Sequence, residues 1–179
     1  PPDDASTGGM ARGGPAVNPA VPLSWRTLPP ALRSLGRWLT VVQLVGYSTS
    51  LVYVWWTTRL TPVGIADHYR GNEAAEGAMQ FPKSFGEMLT VTHTHLLAMA
   101  AIFVLSGLGL ALCERVPDRW KRLLVAEPFV ALLVSFGAMW LMRYADARFS
   151  YLLALSSGVM ALTFFLQSFL VLRELGWGE

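Results

Sequence analysis

The stretch EMLTVTHTHLLAMAAIFVLSGLGLALC, residues 87–113, carries one acidic residue, at its first position, and no lysine or arginine. A helix needs about 20 predominantly apolar residues to cross the hydrocarbon core, and this run is long enough. Three more stretches read the same way: residues 38–57, 123–142 and 151–172. Trp38, Trp55, Trp56, Trp120, Trp140 and Tyr151 fall at their ends, where an aromatic belt belongs. The expected fold is an all-α integral membrane protein, a four-helix up-and-down bundle over residues 37–175, with an outer loop at 58–86.

Composition agrees. Of 179 residues, 53% are hydrophobic and only 15% charged, against about 25% charged in a soluble domain. The mean hydropathy is +0.42. A single cysteine, Cys113, excludes an intrachain disulfide framework and a multi-cysteine metal site, and leaves palmitoylation or burial as its readings. The net charge of +2 comes from scattered arginines, which argues against nucleic acid as a partner. No secretory signal is visible in residues 1–22, and no phosphate loop, nucleophile elbow, zinc-protease motif or redox cysteine pair occurs. The chain reads as a non-enzyme.

Residues 1–22 are rich in Pro, Gly and Ala and read as a flexible tail. Residues 23–36 mix Leu and Trp with Arg and suit an interfacial helix starting near Pro30. Residues 58–86 are too long for a tight turn and should fold back over the bundle, with a short helix near 65–69 or 72–79. Lys and Arg are more numerous in the N-terminal, 113–122 and C-terminal segments than in the other two connections, which places both termini in the cytoplasm of a bacterial inner membrane. Pairs of small residues, Gly46/Ser50, Ala131/Ser135 and Ser157/Ala161, with Gly107 and Gly109, suit close helix packing or a docking face.

Two of the three histidines are His93 and His95. On a helix they differ by about 200°, so they cannot chelate one ion. A haem b held from two sides would pair His68 with His93 or His95, and a bacteriochlorophyll needs only one of the two. A quinone contact could join His93 or His95 to Glu87. The plainest reading gives each histidine a carbonyl, a hydroxyl such as Thr90 or Thr94, or a carboxylate, fixing the loop onto the bundle. No cofactor is the leading single expectation. Glu127 precedes Pro128, and proline is tolerated in a helix's first turn, so the third apolar helix is expected to start at residues 126–127 with Glu127 on its dipole and Arg122 nearby. Arg143 joins Glu87 and Glu127 as a polar residue of structural interest, in a rim shared with Asp67, Arg70, Glu73, Glu76, Asp146 and Arg148.

The motifs His68-Tyr69-Arg70-Gly71, Phe81-Pro82-Lys83-Ser84-Phe85 and Thr92-His93-Thr94-His95 resemble a set of poorly characterised four-span bacterial membrane proteins that sit beside electron-transport components. The resemblance covers residues 40–173 and implies an electron-transport setting. The expected function is a non-catalytic accessory subunit of a photosynthetic or respiratory electron-transfer assembly, bracing a larger membrane complex in the lipid bilayer and shaping a quinone or pigment site. A mono-haem b carrier or quinol-reactive protein is the alternative, and a small transporter or sensor with a cavity reaching Glu127 is a third.

Overall fold

The computed structural model describes residues 23–72 and 81–176. The expected tail, and most of the alternative loop helix at 72–79, lie outside the described residues. Within them the chain is all-helical: α1 (Pro30–Thr58), α2 (Pro62–Arg70), α3 (Phe85–Ala111), α4 (Asp118–Tyr144) and α5 (Phe149–Leu175). Helices α3, α4 and α5 each have 27 residues and are long and apolar enough to cross a membrane. Each spans about 40 Å at 1.5 Å per residue, more than the hydrocarbon thickness of about 30 Å. The short links between them make them antiparallel neighbours.

Helix α5 is central and packs against α1, α2, α3 and α4. Its tightest partner is α4, and small side chains explain why. Ala131 and Ser135 are buried, and the Ser135 hydroxyl lies 2.8 Å from Ser156 Oγ and 3.3 Å from Ser157 Oγ. Small residues let the two backbones approach, and the hydroxyls satisfy one another where lipid offers no partner. Gly46 and Ser50 are different: both are exposed, and a Cβ added at Gly46 would meet nothing within 4 Å.

The core forms three layers along the bundle axis. At the end bearing the start of α1, Trp25, Leu110, Cys113, Val116, Val171 and Leu175 pack together. In the middle, Tyr47 stacks on Phe164 with ring centroids 4.3 Å apart, among Phe103, Ala131, Leu132 and Met160. At the opposite, loop end, Ile65, Met88, Met139 and Met142 form the third layer.

Two boundaries depart from expectation. The helix that starts at Pro30 runs unbroken to Thr58, so no separate interfacial helix precedes α1. Nothing between residues 30 and 58 breaks it, and residues ahead of it form a turn that buries Trp25. Helix α4 starts at Asp118, not at residues 126–127, so Pro128 lies well inside it. Proline there removes the N–H that would bond the Leu124 carbonyl. Gln167 of α5 replaces it, its Nε2 donating to that carbonyl at 2.6 Å.

The corner between α1 and α2 is tight. Arg59 and Leu60 both have positive φ, 56° and 54°. Thr58 Oγ1 accepts from the Leu60 N–H at 3.2 Å, and Thr61 caps α2 by accepting from the Gly64 N–H at 3.0 Å. Pro62 opens the helix, where its missing N–H is harmless. The expected loop helix near 65–69 is therefore α2.

Candidate functional site

The connection between α1 and α3 is fastened to the bundle by arginines. Arg70, in the last turn of α2, donates from Nη1 to the Met142 carbonyl at 2.8 Å. Arg143 of α4 donates from Nε to the Lys83 carbonyl at 2.8 Å, and its guanidinium lies 4.9 Å from the Tyr144 ring centroid. The Lys83 N–H in turn donates to the Tyr69 carbonyl at 2.9 Å. The segment before α3 is thus clamped between α2 and α4.

Glu87 belongs to the start of α3. Its Oε2 accepts from the Ser84 N–H at 2.7 Å, the Ser84 hydroxyl accepts from the Glu87 N–H at 3.3 Å, and Lys83 Nζ lies 3.4 Å from Oε1. This capping box satisfies two donors that a helix start leaves open. The carboxylate is engaged there, six residues before His93.

The three histidines occupy separate environments. His68 is half-buried on α2, its ring edge-on to Tyr69 at 5.0 Å. Burial, then the nearby Lys83 charge, holds its pKa below the usual 6.5, so the neutral ring is favoured. Burial pushes the Tyr69 phenol up, with Tyr53 adding to the shift. Helices α2 and α3 meet only through side chains of the third core layer, with no Cα pair within 8 Å, and no hydrogen bond or ring contact joins His68 to His93 or His95 among the described residues. No group of three or more His, Cys, Asp or Glu gathers among the described residues.

His93 and His95 are both exposed on α3, on different faces. His95 Nδ1 lies 3.0 Å from the Val91 carbonyl, one turn back. A carbonyl only accepts, so Nδ1 carries the proton in this contact. Thr90 and Thr94 spend their hydroxyls on the carbonyls of Gly86 and Thr90, at 2.9 and 2.7 Å. Thr92 faces the bundle: it accepts from Trp140 Nε1 at 2.9 Å while donating to the Met88 carbonyl at 2.7 Å.

A register of heptads sets what His95 faces. The Trp25 indole donates to the Gly109 carbonyl at 2.8 Å, and its ring fills the space where a Gly36 side chain would stand. Gln43 Nε2 reaches the Ile102 carbonyl at 3.4 Å. Gly36, Gln43 and Ser50 recur every seventh residue on α1, as Gly109, Ile102 and His95 do on α3. Seven residues are about two turns, so the antiparallel helices bring Ser50 and His95 to the same depth on facing stripes. Their chain neighbours Leu51 and Leu96 both pack against the middle core layer. The seam holds a groove of about 250 Å³ at its Trp25 end, lined by Leu32, Leu39, Thr40, Leu105 and the buried Ser168.

Glu127 sits partly buried on α4, with Oε2 enclosed and no hydrogen bond to it among the described residues. Arg122 is exposed and forms no ion pair with it.

Three polar residues of consequence went unread in the sequence. Gln167 had a signal, the only amide in residues 151–172. Trp25 had one too, an indole in an arginine-bearing segment. Glu174 had none. Its side chain is 2% exposed and lies 3.4 Å from Arg26 Nε and 3.7 Å from Arg115 Nε. It ties the turn before α1 and the α3–α4 link to the end of α5.

Neither the curated proteins nor the solved structures contain a match to this chain. The family model of a transmembrane helical domain matches residues 59–177, from the α1–α2 corner through the end of α5. That is more than half of the chain and includes all three apolar helices, so the protein belongs to this family of transmembrane helical domains, Aq_1264_TM.

Proposed function

We propose that the chain is a non-catalytic accessory subunit of a bacterial electron-transfer assembly. In this reading α1 is a fourth span, both termini are cytoplasmic, and the protein docks sideways onto a larger complex in the inner membrane. The observation that carries the docking is His93. It is exposed on α3 beside exposed Leu89 and Leu97, the neighbours one turn away on either side. It lies about 12 Å along the axis from Phe85, while a helix of this length centred in the bilayer has only about 5 Å outside the hydrocarbon at each end. An imidazole facing lipid at that depth is costly. A neighbouring protein that covers it and offers a hydrogen bond removes the cost. The electron-transfer setting rests on the resemblance of the motifs around His68, Lys83 and His93.

The test is purification from native membranes in mild detergent. The expected result is a larger assembly containing redox or pigment proteins, with His93→Leu releasing the chain while its own melting temperature holds. A wild-type chain that migrates alone, with no redox or pigment protein beside it, overturns the reading.

A further inference from the structure

We propose that His95 is a single axial ligand for a metal-centred tetrapyrrole seated in the α1–α3 seam beside Gly46 and Ser50. The site deepens the accessory-subunit reading and rests on it for its biological setting, though its geometry stands apart.

The ring of His95 is poised for ligation. With Nδ1 donating to the Val91 carbonyl, the neutral imidazole keeps its lone pair on Nε2. The ring is exposed, and no hydrogen bond or ion pair engages Nε2 among the described residues. Fixing one ring nitrogen on a carbonyl so that the other points outward is the arrangement that orients ligating histidines and raises their basicity. His93 has no such contact, and it faces another way.

The seam supplies the room. Opposite His95, α1 presents Ser50 and, one turn nearer Gln43, Gly46, where even a methyl group would touch nothing. The Ser50 hydroxyl is turned back onto the Gly46 carbonyl at 3.1 Å, so the wall is small and its polarity is spent. Leu51, Leu96 and Met99, packed on the middle core layer, give an apolar floor for a macrocycle. Every other histidine is elsewhere: His68 is on α2, whose backbone stays more than 8 Å from that of α3 (Cα to Cα), and His93 is on a different face. The protein therefore offers one ligand. That suits the magnesium of a chlorin or the iron of a five-coordinate haem b, and disfavours a bis-histidine haem.

The test uses the full chain in lipid nanodiscs with two probes, haem b and a magnesium chlorin. One of them should bind with a shifted Soret band, and a reduced-minus-oxidised α-band marks haem as the probe that fits. His95→Ala should lose binding and regain it with added imidazole. Gly46→Leu should also lose it by filling the seam, which keeps the proposal testable should His95→Ala fail to fold. His93→Ala and His68→Ala should bind as wild type does. Uptake of neither probe by the folded wild-type chain overturns the site, as does a His93→Ala variant that loses binding as His95→Ala does. A chain that binds nothing yet purifies within a larger assembly removes the site and leaves the docking reading. A chain that binds a probe but purifies alone does the reverse.

Discussion

Gln167 donates its side-chain amide to the Leu124 carbonyl at 2.6 Å, the carbonyl that Pro128 leaves without a backbone donor. The bond joins α5 to α4 at the one place where α4 cannot complete its own ladder. A buried acceptor left without a partner costs about 1–3 kcal/mol. Gln167→Leu should therefore destabilise the bundle by about that amount, read by reversible unfolding in detergent. Pro128→Ala gives Leu124 a donor within its own helix. On that background Gln167→Leu should cost clearly less. Equal costs on the two backgrounds would show that Gln167 acts through packing alone.

Gly64 is closed in by the corner it helps to form. A Cβ there would run into the Thr58 carbonyl, a backbone atom that cannot swing away. Gly64→Ala should cost about 1–3 kcal/mol, the range for forcing atoms into packed space, and should speed proteolysis between α1 and α3. Gly46→Ala, in open space inside α1, should be neutral or stabilise by up to about 1 kcal/mol. Matching effects at the two positions would mean that helix propensity, not the corner, sets the response.

The long helices were legible because apolar length is a local property of the sequence. Residues 87–113, 123–142 and 151–172 anticipate α3, α4 and α5. Ala131 and Ser135 likewise announced close packing. The start of α4 was not legible. Pro128 looked like a first-turn residue because its compensation, Gln167, lies on another helix. The histidines divide the same way. Helical phase separates His93 from His95 on paper, but which of them faces α1 depends on the Trp25 and Gln43 contacts that set the register. Glu174 is ordinary as a sequence feature and buried only because Arg26 and Arg115 converge on it.

Cys113 tests the wedge at the other end. The thiol is 1% exposed, and burial, with the Glu174 charge adding to it, pushes its pKa up to about 11. The thiolate is the reactive form, so maleimide labelling at neutral pH should be slow. Trp25 packs in the same layer and holds the Gly109 carbonyl. Trp25→Ala should open that layer and accelerate labelling by roughly tenfold or more, the equivalent of at least about 1.4 kcal/mol of opening free energy. Unchanged labelling would show that Leu110 and Val171 seal the thiol without the indole.

His68 makes the docking of α2 sensitive to acid. Burial and the Lys83 charge lower its pKa in the folded protein below the usual 6.5. Above 6.5 the ring is neutral whether or not α2 is docked, and the full docking stability is present. As the pH falls below 6.5, the undocked ring takes up a proton first, so stability is lost down toward the lowered folded-state pKa. Protease access to residues 58–72, measured from neutral pH downward, should rise through this window while α3, α4 and α5 stay protected. His68→Gln should remove the part of the rise that begins just below 6.5. Lys83→Met should make the rise smaller and end it at higher pH, because without that positive charge the folded-state pKa lies closer to 6.5 and the window over which stability is lost narrows. A wild-type profile that stays flat through the window, or one that His68→Gln leaves unaltered, would place the acid sensitivity of this connection on another group.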